Sequence, residues 1–107
     1  RRGIGRYGFT LPMDESLAHT AVDLSGRPWL ELTGGLPRTT IGGLSTEMVE
    51  HFFHSLSQSL RAAIHIEIRG RNSHHMVEAM FKGVGRALRP ALARNSDSEL
   101  PSSKGVL

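Results

Sequence analysis

Residues 63–82 read AIHIEIRGRNSHHMVEAMFK, and this stretch decides the fold. Within it Ile64, Ile66 and Ile68 alternate with polar residues, so the isoleucines share one face of an extended chain. The alternation predicts a strand over residues 63–69. Asn72 and Ser73 are residue types that favour the N-cap of a helix. The stretch therefore predicts a β-strand followed directly by an α-helix.

The remainder of the chain supplies the partners of this strand and helix. Alternating residues predict a strand over 17–24, and residues 29–33 predict a second strand that pairs with it as a hairpin. Residues 39–41 predict a short third strand. From Ser45 or Thr46, apolar residues recur at helical spacing as far as Leu60, which predicts a helix. The order β-β-(β)-α-β-α predicts an α+β fold, a small β-sheet backed by two helices on one face.

Both ends of the chain lack a clear periodic pattern. Residues 1–13 are rich in glycine and arginine and predict a lead-in loop, and residues 94–107 are polar and predict a loop-like tail. Pro90 is predicted to end or kink the second helix near Leu88 or Arg89. Gly83 and Gly85 are each expected to weaken that helix by about 1 kcal/mol relative to alanine.

The composition of the chain argues against some kinds of partner and some kinds of metal site. The chain has 107 residues, enough for one domain, and a net charge of +3 from 13 Lys+Arg and 10 Asp+Glu. This mild charge, with only 6% aromatic residues, argues against a nucleic-acid partner and suits a ligand that carries phosphate or carboxylate. Because cysteine is absent, a disulfide or a thiolate metal site is excluded.

Targeting signals are also absent from the sequence. No apolar run approaches the length of a membrane span, and no signal-peptide pattern opens the chain, so we expect no membrane partner and a cytoplasmic location. The first residue is Arg1 rather than methionine, which predicts that these residues belong to a longer chain.

The start of the second helix carries the main candidate site. His74 lies four residues before Glu78 and His75 three residues before it, so either histidine can share a helix face with this carboxylate. Adjacent side chains diverge by roughly 100° around a helix, so two metals suit the pair better than one tetrahedral metal. Imidazole with carboxylate suits Mn, Fe or Zn. Lys82 adds a cation one turn further along. Alternatively, the histidines are solvated and Glu78 stabilises the helix dipole.

Two further features gain interest beside this motif. His51 could supply a missing ligand from a neighbouring helix, although a histidine beside an apolar seam is also an ordinary half-buried side chain. Ser102, Ser103 and Lys104 could enclose an oxyanion with hydroxyls, backbone N–H groups and charge. The alternative for these three residues is a disordered tail.

Short motifs spread in order along the chain together resemble the C-terminal half of the imidazoleglycerol-phosphate dehydratases, lyases of histidine biosynthesis. The motifs are GRYG at 5–8, PMDE at 12–15, DLSGRP at 23–28, EHFF at 50–53, NSHH at 72–75 with EA at 78–79, FK at 81–82, RALR at 86–89 and PSSKGVL at 101–107. Each motif alone is weak, whereas the ordered set is specific.

The resemblance implies an enzyme that converts imidazole glycerol phosphate to imidazole acetol phosphate and water. It implies that residues 1–107 form one half of a duplicated fold similar to domain 2 of ribosomal protein S5. It also implies homo-oligomers with Mn²⁺ at subunit interfaces, and a partner N-terminal half that supplies further ligands and the proton-transfer group.

Site residues follow from the resemblance by position. The metal ligands implied are His51, His74, His75 and Glu78, and the last three are also the implied catalytic residues. The residues implied to bind the substrate, chiefly its phosphate, are Arg6, Arg27, Lys82, Ser102, Ser103 and Lys104, the last three in the tail 94–107.

The competing interpretation is a non-catalytic module, either a metal-binding half-domain or a basic α+β domain that binds RNA. Arg86, Arg89 and Arg94 would form the basic end of a helix in the RNA-binding case. An RNA-binding domain would use aromatic residues for stacking, and these are scarce here. The tail beside a histidine–carboxylate motif favours the lyase.

Overall fold

A computed structural model describes residues 5–36, 40–41 and 43–103, with side chains described for 5–36 and 43–93. Its elements are, in chain order, β1 (Arg6–Met13), β2 (Ser16–Asp23), β3 (Trp29–Thr33), β4 (Thr40–Ile41), β5 (Leu44–Ser45), α1 (Thr46–Leu60), β6 (Ala63–Arg69) and α2 (Ser73–Ser103). The predicted α+β class is confirmed. Ser45 caps α1 as predicted, since its hydroxyl accepts the backbone N–H of Glu47 at 3.2 Å.

The main sheet has four strands in the order β1-β2-β6-β3, and β4 and β5 form a separate two-stranded sheet. β1 and β6 both pair antiparallel with β2, whereas β3 pairs parallel with β6. The predicted hairpin between β2 and β3 is wrong, because β6 lies between them. β3, α1 and β6 instead form a crossover unit, in which the helix connects two parallel strands.

The core lies between one face of this sheet and both helices. The strands β2 and β6 bury every second residue, and the helices bury the residues that face them. The buried apolar side chains include Ala18, Val22, Ile64, Ile66 and Ile68 from the strands, and Val49, Phe53, Met76, Met80 and Val84 from the helices. Both helices therefore cover the same face, as predicted.

The predicted lead-in loop over residues 1–13 is wrong from Arg6 onward, because residues 6–13 form β1. Half-buried Tyr7, Phe9, Leu11 and Met13 alternate with exposed residues and pack against the core. Pro12 is tolerated because β1 is an edge strand that pairs only with β2, so its missing N–H breaks no inner ladder. Residues 1–4 lie outside the described part.

Of the end or kink predicted at Pro90, the end is wrong, since α2 continues to Ser103. The loop predicted over 94–107 is therefore helical as far as that residue, and 104–107 lie outside the described part. Proline removes one helical hydrogen bond. Ala87 and Ala91 are fully buried on either side of Pro90, so packing against the sheet holds the helix through it.

One of the two glycines that were expected to weaken α2 has a packing role. A Cβ at Gly83 would lie 2.7 Å from the Thr20 side chain, so glycine lets α2 approach β2 closely. A Cβ at Gly85 would meet nothing within 4 Å, and that glycine has no such explanation.

The surface is divided between a polar sheet face and a partly apolar helical face. His19, His65, Glu31, Glu67 and Thr33 line the outer face of the sheet, where Trp29 is also exposed. Exposed Met48, Phe52, Phe81 and Leu92 lie on the helices. Within the described ranges, no helix has the length and apolar character that crossing a bilayer requires.

Candidate functional site

The site begins where α2 begins, as the cap residues predicted. The side-chain Oδ1 of Asn72 accepts the backbone N–H of His75 at 3.1 Å, and the Asn72 carbonyl accepts the N–H of Met76. Two donors of the first turn are thereby paired, which fixes the direction in which the following side chains leave the helix.

His74 and Glu78 meet on the exposed side of α2. His74 Nε2 lies 3.3 Å from Glu78 Oε1, and the two side chains are 67% and 43% exposed. The four-residue spacing predicted this pairing. An imidazole nitrogen and a carboxylate oxygen that converge at a surface can supply two ligands to a metal ion.

His75 faces a different set of groups. Its Nδ1 lies 2.9 Å from Glu15 Oε1 and its Nε2 lies 3.8 Å from Asp14 Oδ2, both in the turn between β1 and β2. The two imidazole rings are 6.4 Å apart and inclined by 58°. The predicted divergence of the histidine pair is thus present, with separate carboxylates for the two rings.

Glu15 joins the β1–β2 turn to the start of α2. Its Oε2 accepts the backbone N–H groups of Arg71 at 3.2 Å and Asn72 at 2.9 Å, as well as the Ser16 hydroxyl. The Ser16 hydroxyl, then His75 and the Asn72 amide, hold the pKa of the Glu15 carboxyl well below its usual range. The hydrogen bond to Glu15 raises the pKa of the His75 imidazole.

The helices carry two further predicted site residues. Lys82 is exposed on α2, and His51 is exposed on α1. Among the side chains that the structure describes, no three His, Asp or Glu residues converge closely enough to hold a metal ion. The described side chains of one chain thus form no complete metal site by themselves.

Arg6 and Arg27, two of the residues predicted to bind phosphate, lie elsewhere. Arg6 is paired with Asp23, Nε to Oδ2 at 3.2 Å, where β1 begins and β2 ends. Arg27 follows β2, and its backbone N–H donates to the Ser25 hydroxyl. The end of the hairpin that contacts His75 is about 23 Å from Arg6, since β1 advances by seven residue steps from Arg6 to Met13.

The end of α2, which carries the predicted tail residues Ser102 and Ser103, lies toward this far end. α2 passes Gly5, beside Arg6, at Ala91, and then continues beyond it. Ser102 and Ser103 lie in its last turn, with side chains outside the described set, and Lys104 lies outside the described residues.

Asp14 and Glu15 are site residues that the sequence reasoning did not single out. They lie 60 residues or more before His75, so no helical or strand spacing could connect them. A signal was nonetheless present, because both belong to the PMDE motif at 12–15 that carried the family resemblance.

The Glu15 contacts predict a defined pH window of stability. The lowered Glu15 pKa contributes stability that is present above the ordinary value of 4.5 and is lost as pH falls below that value. The raised His75 pKa contributes stability that is present below the ordinary value of 6.5 and is lost as pH rises through the folded pKa. The stability difference between the wild type and Glu15→Gln should be greatest between these two values. Urea unfolding at a series of pH values measures it. A difference that does not vary with pH would contradict the assigned contacts.

The chain is similar to a known protein family and to named relatives within it. The model of the imidazoleglycerol-phosphate dehydratase family matches residues 1–88. The chain is 59% identical, over 105 residues, to the histidine biosynthesis bifunctional protein HisB of Legionella pneumophila (strain Philadelphia 1), a match of 98% of this chain and 30% of that protein. The protein of the same name from Stenotrophomonas maltophilia (strain K279a) is 54% identical over 107 residues, 100% of this chain and 30% of that protein.

Solved structures show the same fold. The crystal structure of imidazoleglycerol-phosphate dehydratase from Staphylococcus aureus has a TM-score of 0.79 and 42% identity, over 81% of this chain and 52% of that one. The enzyme from Pyrococcus furiosus in complex with (S)-C348 has a TM-score of 0.75 and 35% identity, over 85% and 52%. This chain thus spans about half of those structures and 30% of the curated relatives. The family predicted from the motifs is confirmed: the chain belongs to the imidazoleglycerol-phosphate dehydratases.

Proposed function

We propose that this chain contributes one half of the active site of a hydro-lyase of histidine biosynthesis. The enzyme would remove water from imidazole glycerol phosphate and release imidazole acetol phosphate. The observation that carries the proposal is the divergent pair His74 and His75, each with its own carboxylate, in a member of this family. As an enzyme of amino-acid biosynthesis, it would work in the cytoplasm.

The donor groups at the start of α2 suit Mn²⁺. His74 with Glu78 would bind one ion and His75 a second, because the rings point in different directions. His51 would serve as a ligand within an assembly, since the described residues of one chain hold no three-ligand set. When bound, Mn²⁺ supplies Lewis acidity that stabilises charge on the substrate's imidazole ring.

The chain's own residues would hold and orient the substrate. His74, His75 and Glu78 would fix the imidazole end, so that the carbon that loses its proton is held in one position. The phosphate end would be bound by Arg6, Arg27, Lys82, Ser102, Ser103 and Lys104. We assign the group that removes the proton to the other half of the duplicated fold.

The distance between these two sets supports an oligomer. Arg6 lies about 23 Å from the His75 end of the same chain, much further than the length of the substrate. One substrate can therefore contact Arg6 and the histidine pair together only if the two come from different chains, whereas Lys82 lies on the same helix as Glu78. We propose a homo-oligomer with metal sites at subunit interfaces, together with the N-terminal half of the fold.

A double variant His74→Ala/His75→Ala tests the proposal. In the intact protein, metal analysis should find almost no Mn²⁺ per chain, and dehydratase turnover should fall by at least about 100-fold, because both sites lose a nitrogen ligand. His65→Ala is the matched control, since it removes an exposed histidine from the outer face of the sheet. Unchanged Mn²⁺ per chain in the double variant would refute the ligand assignment.

A non-catalytic metal-binding half-domain is the second candidate function. It is favoured by the lack of a three-ligand set among the described side chains. The two candidates differ in one measurement. A wild-type protein that binds Mn²⁺ and assembles, yet shows no turnover of imidazole glycerol phosphate, would favour the half-domain over the lyase.

A further inference from the structure

Glu15 has a position that the proposed catalytic roles do not use. It lies in the turn between β1 and β2, and its carboxylate reaches the start of α2. Oε2 accepts the backbone N–H groups of Arg71 and Asn72 at 3.2 and 2.9 Å. The carboxylate is therefore held in place by the backbone that leads into α2, independently of His75.

The remaining oxygen of Glu15 is directed at His75. Oε1 lies 2.9 Å from the ring Nδ1. An ionised carboxylate only accepts hydrogen bonds, so Nδ1 must carry the proton. In the neutral ring the lone pair then lies on Nε2, the nitrogen on the opposite side from Glu15.

His75 is also more confined than its neighbour. Its side chain is 29% exposed, whereas that of His74 is 67% exposed. Asp14 adjoins the Nε2 side, with Oδ2 at 3.8 Å from this nitrogen. Nε2 therefore lies next to a second carboxylate, on a side chain that is partly open to solvent.

From these contacts we propose that Glu15 is a positioning residue. It holds His75 in the Nδ1–H tautomer and directs Nε2 outward as the ligating atom. Metal-ligating histidines commonly donate their other ring N–H to a carboxylate, which fixes the ring and increases the basicity of the ligating nitrogen. The tautomer rests on the geometry alone, and the ligating role of Nε2 rests on the proposed function.

The first measurement needs no metal. In the intact protein labelled with ¹⁵N-histidine, ring-nitrogen shifts at a pH where His75 is neutral should show the Nδ1–H tautomer. In Glu15→Ala the ring should shift toward Nε2–H. Ser16→Ala is the control, because it removes a hydrogen bond to Glu15 and leaves the Glu15–His75 contact in place. A wild-type His75 in the Nε2–H form would overturn the proposal.

The second measurement is Mn²⁺ affinity by calorimetry. Glu15→Ala should weaken binding by about 10- to 100-fold. Glu15→Gln should recover part of that loss, because its amide oxygen can still accept from Nδ1. In a His75→Ala background, Glu15→Ala should cause no further loss, since residues that act through one another are not additive.

The outcomes separate this inference from the proposed function. An equal further loss in the His75→Ala background would show a purely structural role for Glu15 and overturn the proposal. Wild-type protein that binds no Mn²⁺ would refute the proposed function, while the ring-nitrogen shifts would still decide whether Glu15 sets the tautomer. If Glu15→Ala fails to fold, the ring-nitrogen shifts of the wild type decide the matter, because a His75 in the Nε2–H form overturns the proposal.

Discussion

Replacing Phe53 with alanine should remove a large share of the free energy of unfolding of this chain. Phe53 on α1 is 1% exposed, and the centre of its ring lies 4.8 Å from that of Phe81 on α2. The Phe53 ring therefore packs between the two helices. Removing a buried phenylalanine ring costs about 3–5 kcal/mol. A domain of this size has about 5–15 kcal/mol in all, so the loss removes a large share of it. Urea unfolding followed by circular dichroism measures the change.

Phe52→Ala is the matched control for this prediction. Phe52 is the adjacent residue on the same helix, has the same side chain, and is 46% exposed. Its replacement should cost less than half as much in the free chain, because half of the ring already contacts water. A Phe53→Ala loss below about 1 kcal/mol would contradict the core described here. A Phe52→Ala loss as large as that of Phe53→Ala, seen only in the assembly, would indicate that a partner covers this face.

The elements with strong local signals could be predicted from the sequence. The isoleucine alternation gave the bounds of β6, and cap residues gave the starts of both helices. β1 was missed because its one glycine and its proline resemble a loop, although Tyr7, Phe9 and Leu11 alternate. The pairing of β3 with β6 could not be predicted from either strand alone, because α1 separates the two strands in the sequence.

The candidate site likewise has one part that the sequence predicts and one part that it does not. The pair His74 and Glu78 follows from a spacing of four residues on one helix. The contact between His75 and Glu15 joins two distant segments, so only the folded sheet brings it about. The distance between Arg6 and His75 could not be predicted either, because motifs shared with a family do not show which chain of an oligomer supplies each residue of a site.

The uncovered apolar surface lies on the helices. A sheet that helices cover on one face only would be expected to need a partner on its second face or at an edge. The structure shows a largely polar outer sheet face, and places Met48, Phe52, Phe81 and Leu92 at the surface of the helices. Buried apolar residues of the helices face the sheet, so these exposed ones lie on helix surfaces that the sheet does not cover. An assembly partner is therefore expected on the helical side.

Mn²⁺ should raise both the apparent mass and the melting temperature of this protein. The described part of one chain lacks a three-ligand set, so the ion should bind the assembled form in preference to the free chain. At a hundred times the dissociation constant, such binding stabilises by about 2.7 kcal/mol. A domain of this size gains roughly 4–8 °C per kcal/mol, so the melting temperature should rise by about 10–20 °C. Light scattering and thermal unfolding, with and without Mn²⁺, measure both effects.

Two controls make this prediction specific to the histidine sites. Mg²⁺ should produce little change, because it prefers oxygen ligands and keeps its waters. The variant His74→Ala/His75→Ala should lose the response to Mn²⁺, whereas His65→Ala should keep it. The residues 1–107 alone should fold marginally and show no turnover, and adding the N-terminal half of the fold in trans should restore assembly and activity together. A metal-free monomer of these residues with full dehydratase activity would show that one chain holds a complete site, and would refute the shared-site proposal.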